Sequence, residues 1–221
     1  MTTLEAIEAR HSVRSYADQP IPTEIVKELN TEIAVCNQQA NLHIQLVTDE
    51  PKSFGGMMAH YGKFSGVQNY IALIGPKGGA LDETLGYYGE QIAIKAQMLG
   101  LNTCWVAMTF SKGKCAATIN KGEKLVCVLS LGYGTTQGVA HKSKPMDNLC
   151  RVSGEMPGWF RAGMESAMLA PTAMNQQKFF LTLSGNTVRA ETTGGFYSKV
   201  DLGIVKYHFE IGAGTEQIRW A

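Results

Sequence analysis

The sequence has no long hydrophobic run and almost no net charge, and each absence excludes a class of protein. No apolar segment approaches the roughly 20 residues that span a bilayer, and the first residues lack the basic and apolar regions of a secretory signal. Lysine and arginine together number 20 against 19 acidic residues, so no field of the whole protein favours nucleic acid. We therefore expect a cytoplasmic protein without a nucleic-acid or membrane partner.

Cysteine is scarce and shows neither metal-binding nor redox spacing. The five cysteines include no Cys-x-x-Cys pair, and an odd number without a secretory signal indicates free thiols in a reducing compartment. No metal site is expected. The sequence also lacks the Gly-x-Gly-x-x-Gly fingerprint of a tightly bound dinucleotide, so any nicotinamide cofactor would bind transiently.

The 221 residues are 44% hydrophobic, enough for a substantial buried core. Helical and strand periodicities alternate along the chain, which predicts an α+β fold with a helix-covered sheet. A polar stretch over 135–154 is expected to be a long connection. Helices are predicted at about 2–9, 21–33, 85–99, 157–169 and 202–210, and strands at about 42–48, 69–74, 102–110, 125–131, 179–183 and 188–192.

The segment from Arg10 to Arg14 concentrates groups that bind anions. It reads Arg-His-Ser-Val-Arg and follows the first predicted helix. Two guanidiniums offer paired N–H donors to phosphate oxygens, and Ser12 adds a neutral donor. His11 contributes a side chain or only its backbone amide. The alternative is a helix-terminal cluster bonded to carboxylates.

A second polar motif lies near the C-terminus, where Ala170 to Gln177 reads Ala-Pro-Thr-Ala-Met-Asn-Gln-Gln. Its three amides could bind a ring edge that carries both donors and acceptors, such as a flavin. Without a ligand, it would be a helix stop followed by a hydrogen-bonded loop.

Together the two motifs resemble the FMN-dependent nitroreductase family, whose members carry an Arg-x-Ser-x-Arg stretch and an Ala-Pro-Ser-x-x-Asn-x-Gln turn. In that family the turn follows the arginines closely. Here the early position, 34–39, reads Ala-Val-Cys-Asn-Gln-Gln and has no proline. The displaced turn resembles the small branch of single-chain, Thermotoga-type proteins of the family.

This resemblance implies a nitroreductase-like FMN-binding fold with a mixed or antiparallel sheet and an internal pseudo-twofold repeat. Family members are intertwined homodimers, so a single chain would be a fused pseudo-dimer: residues 1–154 would carry the phosphate socket and 155–221 would complete the flavin site. The Asn-Gln-Gln triplets at 37–39 and 175–177, offset by 138 residues, support a repeat because each is expected to follow a helix and precede a strand. A weaker match pairs 86–100 with 203–214. One FMN per chain and a monomer or weak homodimer are expected.

The resemblance also assigns site residues. The phosphate contacts would be Arg10, His11, Ser12 and Arg14, with Lys142 or Lys144 returning to the phosphate; a solvated loop is the alternative for these lysines. Main-chain groups of Trp105, Val106 and Ala107 would pass the flavin ring, unless this segment is only a core strand. The turn would contribute Pro171, Thr172, Asn175 and Gln177. No protein side chain is expected to be catalytic, because the flavin carries the hydride.

The function implied is an FMN-dependent NAD(P)H oxidoreductase that reduces nitroaromatics, quinones or similar electron-poor small molecules, alternating between NADH or NADPH and the acceptor. One alternative is a non-catalytic flavin-binding protein, an FMN store or a redox sensor. Another is a phosphate-binding module without flavin.

Overall fold

The computed structural model describes the backbone of residues 1–221 and every side chain except that of Gln217. The chain divides into two compact units, which we call the central unit and the terminal unit. The central unit comprises 10–81 and 92–140, and the terminal unit comprises 1–9, 82–91 and 141–221. These boundaries differ from the expected division at residue 154, because segments 1–9 and 82–91 belong to the same compact unit as the C-terminal residues.

The central unit is built on an antiparallel sheet of four strands in the order β1-β2-β4-β3. Both inner strands read as continuous apolar runs because both of their faces are buried. Strand β3 lies at the edge of the sheet and pairs with β4 from Asn102 opposite Gly132 to Val106 opposite Val128. The strands are β1 (Gln45–Val47), β2 (Asn69–Pro76), β3 (Asn102–Val106) and β4 (Glu123–Gly132).

Helix α2 (Thr23–Ala40) of the central unit overturns the expected context of the first amide triplet. The helix continues through 37–39 and ends at Asn41, which adopts a left-handed φ of 51°. Asn37 accepts a 2.8 Å hydrogen bond from the Ile44 N–H and donates a 2.9 Å bond to the Ile44 carbonyl. The triplet is therefore the last helical turn and the start of the connection to β1, so it does not share the context of 175–177.

The terminal unit contains a mixed sheet of four strands in the order β5-β6-β7-β8. The predicted hairpin is confirmed: β6 and β7 are antiparallel, and Gly185 in their turn has a φ of 58°. The other two pairs, β5 with β6 and β7 with β8, are parallel. The sequence did not predict β5, inside the supposed connection, or the short β8. The strands are β5 (Cys150–Val152), β6 (Phe179–Ser184), β7 (Thr187–Thr192) and β8 (Arg219–Trp220).

Three further helices of the terminal unit are α1 (Thr3–Ala9), α5 (Gly158–Ala167) and α6 (Ser198–Ala213). The predicted capping box of α1 is confirmed: Glu5 accepts from the Thr2 N–H at 2.7 Å, and Thr2 Oγ1 accepts from the Glu5 N–H at 3.2 Å. Helix α4 (Leu81–Met98) contributes 82–91 to this unit and its two ends to the central unit. A short helix, α3 (Met57–Tyr61), completes the central unit.

Glycines allow the helices of the terminal unit to cross at close range. A Cβ on Gly203 of α6 would lie 2.0 Å from the Glu83 carbonyl oxygen of α4, and one on Gly86 would lie 2.1 Å from the Val200 carbonyl oxygen. Gly212 meets the Ala162 carbonyl of α5 in the same way, at 2.5 Å. The weak match between 86–100 and 203–214 thus includes Gly86 and Gly203, each the sixth residue of its helix. Both glycines lie at the crossing of α4 and α6.

A histidine and a glutamate are bonded to each other inside these helices. His208 Nε2 is 3.0 Å from Glu90 Oε1, and both side chains are fully buried. His208 Nδ1 donates to the Ser166 carbonyl at 3.1 Å, since a carbonyl can only accept. From the sequence alone, a position on an exposed helix face explained Glu90 equally well.

Among the described residues, none of the helices combines the length and the apolar character that a membrane span requires.

Candidate functional site

The predicted phosphate socket forms an extended segment at one end of the central sheet. Ser12 pairs in parallel with Thr103, whose carbonyl accepts the Val13 N–H at 3.1 Å, and Tyr16 pairs with Gly134. Val13 and Tyr16 are buried at 2% and 6% exposure. The segment is thus fixed to the sheet by its backbone and by these two apolar side chains.

The charged and polar side chains of the socket affect the buried Cys104 thiol. Burial raises the pKa of this thiol, while the Arg14 charge, a hydrogen bond from Ser12 and the Arg10 charge all oppose that rise. That Arg10, Ser12 and Arg14 form an anion site stays a prediction.

The two arginines differ in access to solvent. Arg10 is buried at 4% exposure, whereas Arg14 is exposed and places its guanidinium carbon 5.9 Å from the centre of the Phe64 ring. A cation over an aromatic face is held in place without losing its outward N–H donors. Arg14 is consequently the arginine that an anion from solvent can reach.

His11 is half-buried and packs against Gly138. A Cβ at Gly138 would lie 2.8 Å from the His11 Cβ and 3.0 Å from the Ser12 carbonyl oxygen. Gly138 also has a φ of 72°, so both its conformation and its space require glycine. This contact fixes the backbone of the socket from a second side.

Trp105 and Val106 are the last residues of β3, and Ala107 follows it. Val106 is buried at 3% exposure, and Trp105 and Ala107 are half-buried. Strand β3 lies at the edge of its sheet, and its residue Thr103 pairs with Ser12 of the socket. Residues 105–107 therefore follow directly on the part of β3 that holds the socket.

The proline turn of the terminal unit, 171–177, follows α5 and is strained. Three of its residues that are not glycine adopt a left-handed φ: 52° at Met174, 53° at Asn175 and 46° at Gln177. Such conformations cost about 1 kcal/mol or more each and persist where the surroundings impose them. Pro171 is buried and Thr172 is half-buried, while Met174 is 95% exposed.

One side of this turn is bonded to the predicted basic segment. The Lys142 carbonyl accepts from Asn175 Nδ2 at 3.0 Å and from Gln177 Nε2 at 2.8 Å. Gln177 Oε1 accepts the Lys144 N–H at 2.7 Å, and Lys144 Nζ donates to the Gln176 and Gln177 carbonyls at 2.8 and 3.0 Å. The structure thus brings Lys142 and Lys144 to the turn, and the Lys144 ammonium is already engaged there.

Gln177 has little capacity left for a ligand. Its side-chain amide donates to the Lys142 carbonyl and to Asn175 Oδ1 and accepts from Lys144, and the residue is 3% exposed. Asn175 is exposed. The hydrogen-bonded loop that the sequence allowed as an alternative describes Gln177 as the structure has it.

The other side of the turn is bonded to Asp201, in the first turn of α6. The Asp201 carboxylate accepts from the Ala173 N–H at 2.9 Å and from Gln176 Nε2 at 2.8 Å. Burial raises the pKa of Asp201 to about 6, and these two hydrogen bonds oppose the rise. Asp201 was not predicted from the sequence, although an acid within the apolar run Val-Asp-Leu-Gly-Ile-Val is a local signal of a buried carboxyl group.

Comparison with known proteins identifies the family. The family model described as "Putative TM nitroreductase" matches residues 2–213. The chain belongs to this family. No curated protein matches the chain.

Solved structures share the nitroreductase fold. A structure titled "putative nitroreductase" from Thermotoga maritima is 22% identical with a TM-score of 0.69, covering 98% of this chain and 85% of that chain. A "putative nitroreductase in complex with FMN" from Desulfovibrio desulfuricans is 15% identical with a TM-score of 0.54, covering 71% of this chain and 98% of that chain. A "putative NADH dehydrogenase/NAD(P)H nitroreductase" from Parabacteroides distasonis is 18% identical with a TM-score of 0.53, covering 66% of this chain and 95% of that chain.

Membership of the nitroreductase family confirms the resemblance drawn from the two motifs. It places the chain among nitroreductase-like oxidoreductases. The α+β class, with helices and antiparallel or mixed sheets, is confirmed as well.

Proposed function

We propose that the protein is an FMN-dependent oxidoreductase that takes hydride from NADH or NADPH and delivers it to an electron-poor small molecule such as a nitroaromatic or a quinone. The observation that carries this proposal is the extended segment 10–14, which pairs with Thr103 of β3 and carries two arginines and Ser12. It supplies two positive charges and a hydroxyl on one fixed segment of the central unit, in a family of nitroreductases.

The residues of the socket fit the phosphate of FMN. A phosphate dianion binds best to charged N–H donors and hydroxyls, and Arg14 and Ser12 offer both kinds of group. Arg10, being buried, would act from behind as a fixed positive charge. The socket has the donor set for one terminal phosphate, which favours FMN over FAD.

The ring of the cofactor would have a further contact in the central unit. We assign this contact to the main chain of Trp105, Val106 and Ala107, because backbone amides can stabilise negative charge that appears on reduction. When bound, FMN would supply the hydride chemistry, and the protein would bind, orient and shield it.

Gln177, Lys142 and Lys144 have a different role in this proposal from the one first expected. Their polar atoms bind one another, so they hold the turn in shape. A direct contact from Lys144 to the phosphate would first require its ammonium to leave two carbonyls.

The visible spectrum of protein purified from flavin-replete cells tests the cofactor. A flavin spectrum is expected, and chromatography after heat release should recover FMN. Recovery of FAD, or of no flavin at all, would show the assignment to be wrong. Stopped-flow reduction of the flavin-loaded protein by NADH and by NADPH then tests the reaction. If neither reduces the flavin, the protein is an FMN store or sensor, or takes electrons from another donor.

The stoichiometry of the proposed site is one FMN per chain, with the protein active as a monomer or weak homodimer. Light scattering combined with the ratio of flavin to protein measures both quantities. An obligate dimer that binds one FMN per two chains would contradict this stoichiometry and leave the cofactor assignment standing.

A further inference from the structure

The main chain on both sides of Arg14 is held by hydrogen bonds within the central unit. The Arg14 carbonyl accepts from the Ser65 N–H at 3.0 Å, and the Ser65 carbonyl accepts from the Tyr16 N–H at 3.0 Å. The preceding carbonyl, that of Val13, accepts from the Tyr16 hydroxyl at 2.8 Å. Tyr16 therefore takes part in fixing both peptide groups that flank Arg14, one through its backbone and one through its side chain.

The Tyr16 hydroxyl is itself bonded to the central sheet. Ser130, a buried polar residue within the apolar strand β4, has its Oγ 2.7 Å from the Tyr16 hydroxyl oxygen. A carbonyl can only accept, so Tyr16 gives its one hydrogen to Val13 and accepts the hydrogen of Ser130. These two bonds connect β4 to the peptide group that precedes Arg14.

The hydroxyl of Tyr16 can be separated from the packing of its ring. The ring lies against Gly132, whose φ is 156° and where a Cβ would lie 3.1 Å from the ring atom Cδ1. A phenylalanine ring would pack there equally well. Burial raises the pKa of Tyr16, whereas the bond to Ser130 and the Arg14 charge oppose the rise, so the hydroxyl keeps its hydrogen and remains a donor.

We propose that Tyr16 is a positioning residue whose hydroxyl fixes the peptide group between Val13 and Arg14, and thereby directs the Arg14 guanidinium to the phosphate of FMN. The part of this statement that concerns FMN rests on the proposed function. Tyr16 acts through Val13 and Arg14 rather than by touching the cofactor. Without the hydroxyl, the Val13 carbonyl loses its donor, and the peptide group has to rotate to find another. That rotation changes the direction in which the Arg14 side chain leaves the backbone.

Two substitutions in this chain of bonds should differ in effect. A longer contact of 3.4 Å joins Ser130 Oγ to the Cys104 carbonyl, so Ser130 keeps an acceptor when Tyr16 is replaced by phenylalanine. The Val13 carbonyl then bears the whole loss. In Ser130→Ala, the bond from Tyr16 to Val13 remains. The effect of Ser130→Ala should therefore be the smaller of the two.

Hydrogen–deuterium exchange of the full-length apoprotein tests whether the hydroxyl fixes this segment. In Tyr16→Phe, exchange of residues 13–16 should accelerate by about tenfold, the factor for one lost hydrogen bond, while exchange of β2 stays unchanged. Tyr133→Phe is the matched control. Tyr133 is a half-buried phenol of the same unit that takes no part in the bonds to Val13 and Ser130, so its variant should match the parent.

Titration with FMN, followed by flavin fluorescence, tests whether Tyr16 acts through Arg14. Tyr16→Phe should weaken binding by about tenfold in the parent chain. In a chain that already carries Arg14→Ala, the same change should weaken binding by less than about twofold, because no guanidinium remains to be directed. Ser130→Ala in the same cycle should show a smaller loss that also depends on Arg14. A purely structural role would lower the affinity equally in both chains.

Unchanged exchange at 13–16 in Tyr16→Phe would overturn the inference, and so would equal losses of FMN affinity with and without Arg14. If the parent protein binds no FMN, the proposed function fails, and the part of the inference that concerns FMN fails with it. Exchange in the apoprotein would still decide whether the Tyr16 hydroxyl fixes the peptide group before Arg14.

Discussion

Replacement of Gly203 by alanine should destabilise the protein through one contact. The added Cβ would lie 2.0 Å from the carbonyl oxygen and 3.0 Å from the carbonyl carbon of Glu83, and 2.6 Å from the amide nitrogen of Tyr87. All three are backbone atoms of α4, so no side chain can rotate away. Helices α4 and α6 would have to separate at their crossing.

The magnitude follows from two opposing terms. Overpacking costs typically 1–3 kcal/mol, and a clash with backbone lies at the upper end, about 3 kcal/mol. Alanine gains about 1 kcal/mol over glycine inside a helix. The net loss of unfolding free energy is therefore about 2 kcal/mol, which lowers the Tm of a chain of this size by about 4–8 °C.

Gly158 provides the control, because it is also a helical glycine of the terminal unit and a Cβ there would meet no atom within 4 Å. Thermal melts and urea midpoints of Gly158→Ala should equal or exceed those of the parent. Gly86→Ala should behave like Gly203→Ala, and the double variant should lose less than the sum because one separation relieves both clashes. If Gly203→Ala is as stable as Gly158→Ala, the close crossing is not present in the protein.

Three further predictions concern charged groups. Arg14→Ala should weaken FMN binding by about 1.5–3 kcal/mol in a fluorescence titration. Arg10→Ala should chiefly lower the Tm, because Arg10 is buried. Equal FMN affinity in Arg14→Ala and the parent would contradict the assignment of the phosphate socket. The pKa of Asp201 is raised from 3.8 to about 6, so its contribution to stability is present below pH 4 and is lost as the pH rises through 6. In urea unfolding, the free energy of unfolding of Asp201→Asn relative to that of the parent should therefore rise by up to about 3 kcal/mol between pH 4 and pH 7. A difference between the two proteins that does not change with pH would refute this. His208→Ala should lower the free energy of unfolding by about 3–5 kcal/mol, because it removes a buried group that is bonded to the Glu90 carboxyl. Glu90→Gln should lower it by less than about 1.5 kcal/mol, because an amide can still donate to Nε2. Similar melting temperatures for the two variants would exclude the pair as a stabilising contact.

Local sequence signals predicted most of the elements correctly. The capping box at Thr2 and Glu5, the apolar runs of β2 and β4 and the hairpin at Gly185 all depend on residues close together in the chain. The extended segment after α1, which carries Arg10, Ser12 and Arg14, was likewise visible in the local sequence. These features are decided by short-range sterics, hydrogen bonds and burial patterns.

The signals failed where a residue's partner lies far away in sequence. The residues next to Asp201 in the sequence do not indicate that it binds Ala173 and Gln176. Those next to Glu90 do not indicate that it binds His208, which is 118 positions away. The short strand β8 has its partner in β7, so its two residues carry no pattern of their own. The Asn-Gln-Gln triplet misled for the same reason: identical residues form a helical turn at 37–39 and a strained loop at 175–177.

The sequence by itself therefore determined the family and the fold class, because both rest on residue types and spacings within local segments. Tertiary structure decided which polar groups are already occupied. Lys144 and Gln177 were predicted to contact a ligand, and the fold satisfies their donors and acceptors within the turn. It also made Arg14 accessible and Arg10 buried, since exposure depends on what packs over a side chain and not on the side chain itself.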